Sequence, residues 1–364
     1  MNPFTPNFGQ IPRVMAGRDM LIDEIVGAFD NAPGDPCLTS ILIGARGVGK
    51  TALLSLLSNE AQSRGWVAVD VPCVKGMLEE IVQGAVRASE NLVDHERGTR
   101  LAGLSVGQLF GVEWENDAKI EPTWFIRMTA VLDALQEKGI GLVITVDEVR
   151  PSLDEMIQLA SFYQLFIRGE RKVSLLMAGL PAEVSSLLGN ESVSFLRRAS
   201  QYRIGRIDDC EIRRALQETA AQAGKKFDED ALRAAVEASG GFPFMMQLVG
   251  YRSWQAEGDG ETLGFRSVEL GVARATEDMK SRVLRSTLDE LSSQDLEYLE
   301  AMLEDGASSS TSDIAKRIGK TDGYASQYRR RLIKRGIIAP KGRGRVAFDL
   351  PMLRKYLPEY LETC

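Results

Sequence analysis

The sequence predicts a parallel α/β unit, then an all-helical unit, then a C-terminal winged helix-turn-helix. Three observations carry that prediction. Strand-like and amphipathic helical segments alternate through roughly residues 1–205, which is the pattern of a parallel sheet with crossover helices. Strand signals vanish over about 206–285, and residues 286–364 read helix, helix, helix and hairpin. A length of 364 residues accommodates two or three such units at about 150 residues each.

The elements follow in order. Strand-like runs fall at Leu38–Ile43, Trp66–Val71, Leu142–Val146, Val173–Ala178 and Tyr202–Ile204. Between them lie amphipathic stretches at Thr51–Glu60, Gly76–Ser89, Trp124–Glu137 and Leu153–Ile167. From Leu104 to Trp114 apolar residues recur with a period of two broken by Gln108, which predicts an inserted strand or hairpin, either an edge strand or an oligomer contact. In the all-helical stretch, Asp208-Asp209 and Asp228 are cap signals, and Pro243 marks a helix start.

Composition removes several classes of function. Apolar residues make up 44% and charged residues 26%, which argues against disordered and collagen-like chains. No apolar run approaches the roughly 18 residues of a membrane span. The chain has 4 Cys, far apart, and 1 His, so zinc sites, disulfide frameworks and His-cluster metalloenzymes are not expected. The sparse, separated cysteines fit a reducing cytoplasm, the expected compartment, and the first residues lack the blocks of a signal peptide.

Gly44-Ala45-Arg46-Gly47-Val48-Gly49-Lys50-Thr51 matches G-x-x-x-x-G-K-[ST] in full, between an apolar strand and an apolar-striped helix. In such a loop glycines let successive backbone N–H groups wrap phosphates, and the helix N-terminus adds partial positive charge. Lys50 is the candidate for the β- and γ-phosphates of ATP, and the Thr51 hydroxyl for Mg²⁺. The run Leu142-Val143-Ile144-Thr145-Val146-Asp147-Glu148 delivers two carboxylates to a strand's C-terminal end, the edge where open α/β sheets bind ligands. Asp147 is then the candidate for the Mg²⁺ shell, and Glu148 for activating water. The expected core is thus a P-loop NTPase sheet with helices on both faces.

With these motifs, the chain resembles AAA+ ATPases of the origin-recognition-like branch, which carry an α/β core, a helical lid and a C-terminal winged helix. The resemblance implies a core over 1–205, a lid over 206–285 and a winged helix over 286–364. The N-terminal segment Pro12-Arg13-Val14-Met15-Ala16-Gly17-Arg18-Asp19 looks like the family's Gly-Arg motif beside the adenine, implicating Val14, Gly17 and Arg18. The resemblance also implies an arginine that reaches a neighbouring subunit's nucleotide. Arg197 and Arg198 in Phe195-Leu196-Arg197-Arg198-Ala199 occupy the matching place, although an exposed helix end favours cations there equally well. Two departures stand out. Leu176-Met177-Ala178-Gly179-Leu180-Pro181 offers no polar sensor after the fourth strand, and Phe244 and Met245 stand where the lid's arginine is expected. Two γ-phosphate contacts are therefore missing, which predicts slow hydrolysis.

The C-terminal stretch is basic. Residues 312–364 carry 13 Lys+Arg against 5 Asp+Glu, a net +8, while the other 311 residues carry −15. Ser310–Ile318 and Asp322–Arg335 read as two helices with Thr311 or Ser312 as cap, followed by a hairpin with the basic tip Pro340-Lys341-Gly342-Arg343-Gly344-Arg345. That is the outline of a winged helix, whose second helix enters the major groove while the wing touches the backbone. Gln327, Tyr328, Arg330, Arg331 and Lys334 on the helix, with Arg343 and Arg345 on the wing, are the candidate contacts to duplex DNA. The expected protein is an ATPase whose nucleotide state controls DNA engagement, self-associating through its core and having no membrane partner. A nucleotide-gated signalling or adaptor switch of a mobile element or defence system, with a winged helix that binds protein, is the alternative.

Overall fold

The computed structural model describes residues 1–7, 9–97, 123–350 and 352–363. The alternating segment Leu104–Trp114 lies outside the described residues. The expected strands form as β1 (Thr39–Gly44), β2 (Val67–Pro72), β3 (Leu142–Asp147), β4 (Val173–Gly179) and β5 (Ser200–Ile204). They make one parallel sheet in the order β2-β3-β4-β1-β5. Strand limits shift by a residue or two from the apolar runs, because pairing rather than hydropathy sets them. Ser200 and Gln201 join β5 by pairing with Ser40 and Ile41 of β1.

Alternation along each strand sends side chains to opposite faces, and helices cover both. Ile41, Val69, Ile144 and Leu175 meet the helices Met77–Arg97, Trp124–Glu137 and Asp154–Arg168 on one face. Leu42, Val143 and Leu176 meet Asp19–Asp30 and Lys50–Ser63 on the other. Burial on both faces explains why these strands read as unbroken apolar runs.

A helical region follows, with helices at Asp209–Ala221, Glu229–Ser239, Pro243–Glu257 and Phe265–Met279. Asp208 and Asp228 take the expected N-cap positions, although neither side chain makes the cap hydrogen bond, and Pro243 opens its helix. One feature was not legible. A two-residue parallel pair, β6 (Lys226–Phe227) with β7 (Thr262–Leu263), joins this region, too short to show a period of two. Residues 265–289 form one helical run, with a π-helical turn at Lys280–Leu284.

The C-terminal region holds the helix Ser293–Leu303, then β8 (Ser309–Ser310) and the helices Thr311–Arg317 and Asp322–Lys334. A hairpin of β9 (Ile338–Pro340) and β10 (Arg345–Phe348) follows, with β10 also pairing antiparallel to β8. Ser310, rather than Thr311 or Ser312, holds the first cap position, and Thr321 caps the second helix by accepting from Tyr324 N–H at 3.3 Å. A closing helix, Leu353–Leu361, packs Leu353 and Leu357 into the same core. That core is continuous from Ile212 and Val249 of the helical region to Leu332 and Val346. No helix among the described residues is long and apolar enough to cross a membrane.

Candidate functional site

The phosphate-type loop leaves β1 at Gly44, where a Cβ would lie 2.3 Å from the Ile204 carbonyl oxygen, so no side chain fits between loop and β5. Gly47 (φ +78°) and Gly49 (φ +89°) adopt the left-handed region that side chains resist. Val48 is buried and anchors the loop to the core. Arg46 and Gly47 are exposed. The loop ends directly in the helix Lys50–Ser63, whose first turn has no side-chain cap and leaves backbone N–H groups free of helical partners.

Lys50 Nζ folds back on its own loop, donating to the carbonyls of Gly44 (2.9 Å) and Ala45 (2.6 Å). Burial pulls its pKa down to about 8, against the opposing pull of Asp147 and Glu148. A desolvated ammonium held only by carbonyls has much to gain from an anion. Thr51 Oγ1 donates to Asp147 Oδ2 at 2.5 Å. The hydroxyl and carboxylate oxygens thus lie together as a hard donor set suited to Mg²⁺. Glu148 follows with φ +54°, a left-handed backbone uncommon outside glycine. Its N–H donates to Asp147 Oδ1 (2.9 Å), and its carboxylate pairs with Arg150 at 3.2 Å. Strain of this kind collects at functional positions.

A cavity of about 500 Å³ opens over these groups, lined by Arg46 to Ala52, Asp147 and Glu148 together with Val14, Arg18, Ile207 and Phe242. Its volume falls in the range of small-molecule sites. Val14 supplies apolar wall, while Gly17 (φ +60°) turns the chain beside Ile207. Arg18 donates to the Gly205 carbonyl, and burial lowers its pKa. Arg197 and Arg198 lie elsewhere. Arg197 Nε donates to the Leu188 carbonyl at 2.8 Å, and Arg198 lines a second cavity with Leu38 and Thr39 at the opposite edge of the sheet.

At the two departure positions the side chains are apolar in fact as well as in sequence. Leu180 packs toward Gly336 of the C-terminal region, Met245 is buried, and Phe244 lines the cavity. Sequence reasoning missed several lining groups. Arg282 and Val283 come from the π-helical turn, Leu350 from the stretch after the hairpin, and Thr5 and Gln247 from segments without a motif. The one signal was Gln247, a polar residue inside the run Met245-Met246-Gln247-Leu248-Val249.

The basic helix is partly consumed by the protein itself. Arg331 donates to Asp295 Oδ1 and Ser292 Oγ, each at 2.7 Å, and stacks over Tyr328. Lys334 pairs with Glu183 of the α/β region at 3.3 Å. Arg345 donates to Ser308 Oγ (3.0 Å) and to its carbonyl (2.7 Å). Gln327, Arg330 and Arg343 are exposed.

A family described as a domain of unknown function (DUF8462) matches residues 281–357. No curated protein matches the sequence. Among solved structures, the chain is similar to a Walker-type ATPase of Pyrococcus abyssi, with 14% identity and a TM-score of 0.71 over 97% of this chain and 99% of that one. It is also similar to the ORC2 protein of Aeropyrum pernix, solved in ADPNP and ADP complexes, with 14% identity and a TM-score of 0.61 over 98% of this chain and 96% of that one. Over 97–98% of its length, C-terminal region included, the chain therefore has the fold of that Walker-type ATPase and of that ORC2 protein.

Proposed function

We propose that the protein binds ATP with Mg²⁺ at the loop 44–51, hydrolyses it slowly, and couples nucleotide state to DNA engagement by the C-terminal region. The observation that carries the nucleotide reading is that the desolvated Lys50 and the Thr51–Asp147 oxygen pair line one cavity. The loop amides and Lys50 hold the phosphates, and Thr51 and Asp147 hold the metal. Bound Mg²⁺ supplies neutralisation of phosphate charge. Glu148 orients the attacking water and takes its proton. Leu180 and Phe244 add no charge, so transition-state stabilisation falls to cations such as Arg46 and Arg282 on the lining, or to Arg197 or Arg198 of a second copy.

Coupling has a route through contact. A Cβ at Gly336, just after the basic helix, would lie 3.2 Å from Leu180 Cδ2 and 3.9 Å from Arg46 Cγ of the loop. Leu350 lines the cavity, and the half-buried Asp349 faces Arg206, Lys341 and Lys50, with burial raising its pKa. A ligand that moves Arg46 or Lys50 thereby acts on the wing. The test is duplex-DNA affinity with and without ATP in the Glu148→Gln variant, across salt. A nucleotide-dependent, salt-sensitive affinity is the expected result, and binding indifferent to nucleotide would refute the coupling. The pairing of Arg331, Lys334 and Arg345 within the protein favours a second reading, in which the docked C-terminal region receives a protein partner.

A further inference from the structure

Beyond the phosphate loop, two residues of the cavity wall carry buried polar atoms that nothing among the described residues satisfies. Gln247 is only 6% exposed. Its Oε1 accepts from the Thr5 N–H at 2.9 Å, which fixes the amide's orientation and leaves Nε2 as the free donor. Among the described residues Nε2 has no hydrogen-bond partner, and neither has the Thr5 hydroxyl. Both residues line the cavity, on the side formed by the helix Pro243–Glu257 and the N-terminal segment. Pro243, one turn before Gln247, lies 3.7 Å from the position of a Gly49 Cβ. Gln247 is therefore one helical turn beyond the phosphate end, next to the apolar wall of Phe242, Met246 and Ile207.

Unsatisfied buried donors in a native fold call for an explanation, because each costs desolvation that folding does not return. A ligand that brings the missing partners supplies one. We infer that Gln247 and Thr5 read the Watson–Crick edge of a purine base and select adenine over guanine. This rests on the proposed nucleotide site and adds the discrimination of base. Ring position 1 is a bare acceptor in adenine and an N–H donor in guanine, so a fixed Nε2 donor accepts only the former. The Thr5 hydroxyl, able to donate or accept, takes the adjacent 6-amino group. Phe242 and Ile207, which line the same cavity, supply the apolar walls for the ring.

Gln247→Glu is the discriminating variant. It keeps an acceptor for the Thr5 N–H but replaces the donor by a carboxylate oxygen, which repels the adenine N1 lone pair and accepts from guanine. Binding of ATP, GTP and inorganic tripolyphosphate to the full chain is measured by calorimetry with Mg²⁺. Wild type should prefer ATP to GTP. Gln247→Glu should lose about tenfold in ATP affinity and gain for GTP, with tripolyphosphate unchanged. Thr5→Val should cost ATP a smaller factor. An unchanged ATP-to-GTP ratio in Gln247→Glu would overturn this inference while leaving the phosphate site standing. Failure of wild type to bind both ATP and tripolyphosphate would overturn the nucleotide site and this inference with it.

Discussion

The phosphate-type loop and the basic C-terminal helix were both conspicuous in the sequence, yet the folded protein treats their cations differently. At the loop, Lys50 lies beside a cavity and, among the described residues, bonds only to carbonyls that a ligand can replace. On the helix, Arg331 is tied to Asp295 and Lys334 to Glu183. The difference is one of what each motif specifies. A phosphate loop is a backbone geometry, and its glycine spacing dictates that geometry. A run of arginines specifies only charge, and a neighbouring carboxylate claims it as readily as a phosphate does.

The largest effects should fall at the loop. Lys50→Ala removes the cation facing the phosphates and should cost about 100-fold or more in ATP binding and turnover, read by calorimetry and phosphate release. ATP affinity equal to wild type would erase the loop's side of the comparison. Glu148→Gln should retain ATP while turnover per site falls by about 100-fold. Glu148→Gly should lose turnover equally but melt at higher temperature. It relieves the φ +54° backbone, a gain of about 1 kcal/mol.

The helix should respond by position rather than by charge. Arg331→Ala leaves Asp295, only 1% exposed, without its cation, and should destabilise the protein by about 2 kcal/mol in a denaturant melt. Arg330→Ala and Arg343→Ala change exposed cations and should leave stability unaltered. If these two contact phosphates, each should flatten the log–log salt dependence of duplex binding by about 0.9. Equal loss of stability in Arg330→Ala and Arg331→Ala would contradict the division drawn between them.

The smallest effect concerns acid. The Arg317 guanidinium makes two hydrogen bonds, of 2.6 and 2.7 Å, to the Asp305 carboxylate and holds its pKa down at about 2. A carboxyl whose pKa is depressed on folding adds stability above its unfolded value, and that stability is lost as pH falls through the folded value. Asp305→Asn should therefore cost about 1 kcal/mol near neutral pH. The gap to wild type should close between roughly pH 4 and pH 2, followed by circular dichroism.

Much of this was legible beforehand, for physical reasons that differ by element. Doubly covered strands must be apolar throughout, so β1, β3 and β4 announced themselves, and the loop's residues followed from its backbone. Gly44 and Gly49 fill roles that few other residues can. The pairing of β6 with β7 and the cap at Ser310 were not legible, since two residues have no period and adjacent hydroxyls compete. Thr5, Gln247, Arg282 and Leu350 reach the cavity only through the tertiary packing of distant segments. No local pattern encodes such convergence. The same holds for Lys334, whose partner Glu183 lies about 150 residues away in the chain.

The central claim is that the loop is a nucleotide site whose state is felt by the C-terminal region. Backbone hydrogen exchange of Glu148→Gln, with and without ATP and Mg²⁺, tests both halves at once. The account predicts slowed exchange over residues 44–51 together with altered exchange at 334–337 and 348–350, where Gly336 and Leu350 meet the loop and cavity. Slowed exchange confined to the loop would contradict the coupling, and exchange unchanged everywhere would contradict the site itself.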